Sequence, residues 1–253
     1  MTHIVIEQCA GYQAIHMNWT KQVPGFQPET FEIVRLALLA ADTNDDISAT
    51  VFFGAPSCFC LGTDVSTFGS ASDLSDLSTR VRGFFRQLIR TRTPLIAAVN
   101  GYAVGLGMTM LLHFDAVFAT PSSTFRAPFA EWGLVPEAAS SVLLPIALGY
   151  QRAFDLFCLG SALDSNEALR AGLITRIHCE AELEEAARSA ATRLSKIPRK
   201  ALRATREMMR PDRHRLERRA QLETETFHEL LGEASTQRRL KVMARASRLA
   251  INA

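Results

Sequence analysis

The chain has 253 residues, 47% of them hydrophobic and 21% charged, with a formal net charge of +2. That length suits one large domain or a domain with an appendage, and that composition builds a substantial core while excluding a disordered or fibrous protein. So small a net charge gives no mandate for nucleic acid, and no apolar run reaches the roughly 18 residues that would cross a bilayer.

In chain order, residues 3–7 and 14–18 read as short strands about the turn at Gly11-Tyr12. Residues 29–41 have helical spacing, with Phe31, Val34, Leu38 and Ala41 on one face. A strand over 49–53 is stopped by Gly54-Ala-Pro-Ser, and an amphipathic helix over 74–89 follows. Next come a strand over 95–99, a buried helix over 107–113, and short strands over 116–119 and 124–126. From residue 138 the pattern turns mostly helical, over 140–148, 153–159, 166–171, 181–194, 199–209 and 213 to the end. A strand over 173–177 interrupts it. The expected organisation is an α/β core over residues 1–195 and a C-terminal helical region over 196–253, with no low-complexity segment and no repeat of constant period.

Five cysteines, two of them in Cys58-Phe-Cys60, show neither CxxC pairs nor zinc spacing and read as reduced thiols in a cytoplasm. Residues 1–10 lack the basic and long apolar regions of a signal peptide, and the final RLAINA carries no peroxisomal address. Between Lys196 and Arg219 ten basic residues stand against three acidic ones. A solvated helix face is the simplest reading of that run, with phosphate binding or subunit contact as the sharper alternative.

The most informative run is residues 94–112, PLIAAVNGYAVGLGMTMLL. Glycine at that density between two buried apolar stretches lets peptide N–H groups approach a ligand oxygen at a helix start, where the helix dipole adds partial positive charge. The dinucleotide fingerprint GxGxxG is not completed, because Met110 stands where its last glycine would fall. Two further segments belong with this run. One is Phe59-Cys60-Leu61-Gly62-Thr63-Asp64-Val65, after the strand over 49–53. The other runs from Phe125 through Phe129, Glu131 and Trp132 to Leu134-Val-Pro-Glu137-Ala-Ala-Ser-Ser.

In this order and spacing the three segments resemble the crotonase superfamily, the enoyl-CoA hydratase/isomerase family, over nearly the whole chain. The resemblance implies a spiral of ββα units with a C-terminal helical region used in assembly, as a homotrimer or a dimer of trimers. It implies an acyl-CoA thioester substrate with no cofactor beyond the coenzyme A of that substrate, and neither nucleic acid, membrane nor metal as partner. The thioester oxygen would sit between the backbone N–H groups of Thr63 and Leu106. The surrounding Cys60, Leu61, Gly62, Gly105, Gly107 and Phe129 would border the substrate.

The chain departs from the hydratase pattern. The two acids that activate and deliver water fall on Thr109 and Phe129, neither of which can act as a base. The segment around Glu137, with Cys60-Leu-Gly-Thr-Asp-Val-Ser-Thr-Phe68 and Phe114-Asp115, is closest to the Δ3,Δ2-enoyl-CoA isomerase branch, where one glutamate is the base. Moving a double bond from C3–C4 to C2–C3 needs one proton removed at C2 and one returned at C4. A single carboxylate can do both without water, and an apolar setting raises its basicity. Another crotonase reaction, such as hydration or acyl-CoA hydrolysis, and a non-catalytic acyl-CoA-binding module remain the alternatives.

For single residues the blander readings stand beside the functional ones. Glu137 could simply open a helix, Glu131 reads as a surface acid, His113 and Asp115 as structural groups, and Cys60 as a small core residue. Trp132, Phe84, Phe85 and Leu88 could line the acyl pocket or fill the core.

Overall fold

A computed structural model describes residues 3–20, 25–64, 71–240 and 242. Strands β1 (Ile4–Cys9) and β2 (Tyr12–Met17) form an antiparallel hairpin, followed by helix α1 (Pro28–Thr43). Two more turns of the same strand–strand–helix plan follow. They are β3 (Thr50–Phe53), β4 (Cys58–Cys60) and α2 (Ala71–Arg90), then β5 (Leu95–Val99), β6 (Tyr102–Val104) and α3 (Leu106–Thr109). A fourth turn comprises β7 (Ala116–Ala119), β8 (Thr124–Arg126) and α4 (Ser140–Leu148).

The first strand of each later turn joins a large sheet and the second joins a small one. The large sheet has the order β1-β2-β3-β5-β7-β10, where β10 is Arg176–Ile177. The small sheet has the order β4-β6-β8-β9, where β9 is Ala162–Asp164. This is the expected ββα spiral. β5 lies between β3 and β7, parallel to both, and all five of its residues are buried. A strand covered on both faces reads as an unbroken apolar run, which is why residues 95–99 carry no polar alternation.

One face of the large sheet meets α1 and α2, where the rings of Phe26, Phe31 and Phe84 lie 5.0 to 5.6 Å apart. The other face is covered by α7 (Glu180–Ser195), whose Leu183, Ala187 and Ala191 pack on Ala14, Val51, Ile96 and Ala98. Each fully buried phenylalanine or leucine here contributes about 1.5–3 kcal/mol. The chain ends in α8 (Arg199–Met209) and α9 (Arg213–Leu231), and residues 234–240 are again helical.

Several expectations need correction. The buried helix expected over 107–113 is α3 followed by a tighter 3-10 turn over Met110–His113. The helix expected over 153–159 is α5 (Tyr150–Phe154) continued as a π turn, Asp155–Leu159, and the strand expected over 173–177 shrinks to β10. β4, β6 and β9 were not foreseen, whereas the equally short β8 was, because Thr124-Phe-Arg alternates polar and apolar residues and Cys58-Phe-Cys or Tyr102-Ala-Val does not.

The basic run is not simply a solvated face. Arg206 is only 7% exposed, its Nε 2.7 Å from Asp115 Oδ1, while Asp115 Oδ2 accepts the β5 amide of Leu95 at 2.8 Å. Arg203 donates to the Asp42 carbonyl at 3.0 Å and Arg210 to the His113 carbonyl. Arginine can do this because its apolar stem covers core surface while its head reaches main-chain oxygens. Asp115 and His113 are thus structural groups, as expected. Among the described residues no helix is long and apolar enough to cross a membrane, and no cluster of His, Cys, Asp or Glu could hold a metal ion.

Candidate active site

Two main-chain segments meet behind the site. Phe26 N donates to Gly62 O at 2.8 Å and Asp64 N to Phe26 O at 2.9 Å. In such a parallel bridge the residue between the bonded peptides points its own N–H the other way, so the Thr63 amide faces away from Phe26. Leu106 is the first residue of α3, where helical N–H groups have no partner within the helix.

The segments touch backbone to backbone. A Cβ on Gly62, which has φ of +95°, would lie 3.5 Å from Leu106 N, and one on Gly107 would lie 2.1 Å from Cys60 O. That second distance is far inside van der Waals contact, so only glycine fits at 107. Cys60 is fully buried, with its Sγ 3.3 Å from Gly62 N, and burial pushes its thiol well above the usual range. It is a packed core residue rather than a nucleophile.

Glu137 comes from the loop that leads into α4. It does not open that helix: α4 starts at Ser140, and Ala138 and Ala139 intervene with φ of 60° and 58°. Two successive alanines in the left-handed region are strained, and the surroundings hold them there. His113 Nε2 donates to Ala138 O at 2.7 Å, and Glu223 of α9 accepts from Ala139 N at 2.6 Å and Ser141 N at 3.0 Å. Burial keeps His113 neutral, lowering its pKa to about 4.

Glu137 is 8% exposed, and burial, with the charge of Glu223 as the smaller cause, raises its pKa from an ordinary 4.5 to about 8. Burial raises Glu223 to about 7, against the pull of the Ser141 and Ala139 donors and of Arg219.

Glu137 and Thr63 line one pocket with about 420 Å³ of empty space, counting its open mouth. One wall is α2, with Leu77, Ser78, Val81 and Phe85. The other is α9, with Thr224, Phe227, His228 and Leu231. Phe85 therefore faces the pocket, whereas Phe84 and Leu88 are core residues. The C-terminal helical region supplies a wall of the pocket in its own chain, beyond the assembly role expected of it.

The structure thus brings together Thr63 and Glu137, with Leu106 stacked behind Gly62. Gly105, Gly107 and Cys60 form the buried support rather than the pocket wall, and Leu61 is exposed. Phe129 is also off the wall, buried against the rings of Trp132 and Phe157 at 5.6 and 6.1 Å. Trp132 packs over Gly105, where a Cβ would lie 3.4 Å from its ring. The Thr109 hydroxyl is buried, 3.5 Å from Leu106 O. Glu131 pairs with Arg126 at 2.8 Å on the surface. The stretch from Val65 to Phe68 lies outside the described residues.

Sequence reasoning missed Glu223, Thr224 and His228. A signal existed: Leu216, Ala220, Glu223 and Leu231 fall on one buried helical stripe, and a carboxylate in such a stripe needs a partner.

A buried carboxylate and Thr63 lining one pocket, on a ββα spiral, define a crotonase-type fold and site. A family model for enoyl-CoA hydratase/isomerase matches residues 7–245, and the chain belongs to that family. The rat protein named enoyl-CoA delta isomerase 2 is 32% identical over 212 residues, covering 82% of this chain and 54% of that protein. Enoyl-CoA hydratase ACTT3 of Alternaria alternata is 37% identical over 150 residues, covering 58% of this chain and 50% of that protein. The chain thus spans about half the length of these relatives. The crystal structure of an enoyl-CoA hydratase/isomerase from Pseudoalteromonas atlantica superposes with a TM-score of 0.87 at 29% identity, covering 97% of this chain and 98% of that one.

Proposed function

We propose that the chain is an enoyl-CoA isomerase that converts 3-enoyl-CoA to 2-trans-enoyl-CoA with Glu137 as its single base. The Glu137 carboxylate takes a proton from C2, and the electron pair moves to the thioester oxygen. The backbone N–H groups of Thr63 and Leu106 hold the resulting dienolate oxygen, and each such donor contributes about 3–4 kcal/mol in the transition state. Glu137 then returns the proton at C4 and the double bond settles between C2 and C3. The step needs no water, metal or cofactor beyond the coenzyme A of the substrate. Assembly as a trimer or a dimer of trimers belongs to the same reading.

The observation that carries it is a buried carboxylate in a largely apolar pocket, with Thr109 and Phe129 where a hydratase has its acids. Relatives bearing the hydratase name favour hydration as the second reading. Against it, the second carboxylate near the base, Glu223, already uses both oxygens to accept main-chain N–H groups.

Glu137→Gln should abolish conversion of 3-enoyl-CoA, read at the conjugated enoyl-thioester band, while acyl-CoA binding persists. Retained isomerisation in that variant would sink the proposal. Rapid bleaching of crotonyl-CoA by the unmodified protein would favour hydration, and binding without turnover would favour a non-catalytic module.

A further inference from the structure

We propose that Glu223 on α9 is a positioning residue for the base, its carboxylate holding the left-handed Ala138-Ala139 turn from which Glu137 reaches the pocket. This rests on the reading of Glu137 as the base. An L-residue adopts positive φ only when its surroundings over-determine it, and here two do so in succession, at 60° and 58°. Neither alanine carries a polar side chain that could stabilise the turn. The stabilisation comes from outside, through Glu223 Oε2 on Ala139 N at 2.6 Å, Oε1 on Ser141 N at 3.0 Å, and His113 Nε2 on Ala138 O at 2.7 Å. Glu223 is 84 residues from Ala139 in sequence, is only 5% exposed, and has both oxygens engaged. It is therefore not placed to exchange protons with substrate.

Its second effect is electrostatic. Glu223 is the charged group whose field raises the proton affinity of Glu137 beyond what burial does. The other titratable side chains facing the base are Cys60 from β4 and His228 from α9, with His113 behind the Ala138 carbonyl. Arg219 on α9 partly offsets the Glu223 charge.

Glutamine at 223 leaves one of the two main-chain N–H groups facing an NH2 and removes the charge. Glu223→Gln should lower kcat for 3-enoyl-CoA about 10- to 100-fold with KM within about twofold, because the walls on α2 and α9 are unchanged. The rising limb of kcat against pH should move to lower pH by about half a unit or more. Glycine tolerates the left-handed conformation without the clamp. Ala139→Gly added to Glu223→Gln should therefore restore much of kcat while the limb stays shifted. Glu223→Asp keeps the charge and should leave the limb near its original place.

Wild-type kcat and limb in Glu223→Gln, or a kcat loss with an unmoved limb and no rescue by glycine, would overturn the proposal. If Glu223→Gln does not fold, Glu223→Asp alone and with Ala139→Gly decides it, rescue by glycine supporting it and no rescue refuting it. Glu137→Gln in the same assay separates the two readings. Activity retained there refutes the base itself, whereas loss there with an indifferent Glu223→Gln refutes only the positioning role.

Discussion

Glutamine at position 137 should stabilise the protein, and the gain should grow with pH. The Glu137 carboxyl titrates near 4.5 in an unfolded chain and near 8 in the fold, because burial disfavours its charge. Between those values the fold keeps a proton that the unfolded chain has lost. Folding therefore takes up a proton there, and stability falls as pH rises. The interval from 4.5 to about 8, at about 1.4 kcal/mol for each tenfold change in proton binding, sets a ceiling of roughly 5 kcal/mol. At pH 7 the expected penalty is roughly 3 kcal/mol. Glutamine is nearly isosteric with the protonated acid and cannot ionise, so it escapes this penalty. Glu223, whose charge is the smaller cause of the Glu137 shift, ionises more easily once the Glu137 charge is gone, which adds to the gap at high pH. Urea unfolding of the two proteins at pH 5, 6, 7 and 8 measures the gap, which should be about 1 kcal/mol at pH 5 and widen upward. Parallel stability curves, or a Glu137→Gln protein that is the less stable one at pH 8, would refute the account of the base as a carboxyl held neutral by burial.

Gly107→Ala would drive a methyl to 2.1 Å from the Cys60 carbonyl oxygen, so the two stacked turns must separate. Calorimetry should show Tm lower by roughly 5–10 °C, and steady-state kinetics a fall in kcat of about 100-fold as the Leu106 amide moves. Arg206→Met would strip Asp115 and the Thr91 carbonyl of their guanidinium partner. Urea denaturation should show a loss of about 1–3 kcal/mol, with kcat of the folded fraction unchanged because Arg206 does not line the pocket.

The parts of this molecule legible in its sequence are those whose signal is local. β5 shows itself through five consecutive buried residues, α7 through the four-residue spacing of Leu183, Ala187 and Ala191, and the main-chain site through glycines that only close approach explains. Glu137 could be singled out because the segment Leu134–Ser141 resembles the isomerase branch of the family and sets the carboxylate among apolar neighbours in sequence. Its setting could not be read, since the left-handed turn after it depends on a carboxylate from α9. Three of the four strands of the small sheet stayed hidden for a different reason. β4, β6 and β9 have three residues each and owe their extended form to their neighbours in the sheet rather than to their own pattern. The arginines of α8 looked like a surface because composition counts charges without showing where the stems lie; the bond from buried Arg206 to Asp115 joins residues 91 positions apart.

The backbone stacking at Gly62 and Gly107 has a consequence for how this site can change over generations. No side chain stands between those peptides, so no substitution in the aromatic core can act on their spacing directly. The walls on α2 and α9 and the loop that carries Glu137 can change while the stacked peptides stay in contact. Variation is thereby channelled into the lining of the pocket and away from the main chain behind it.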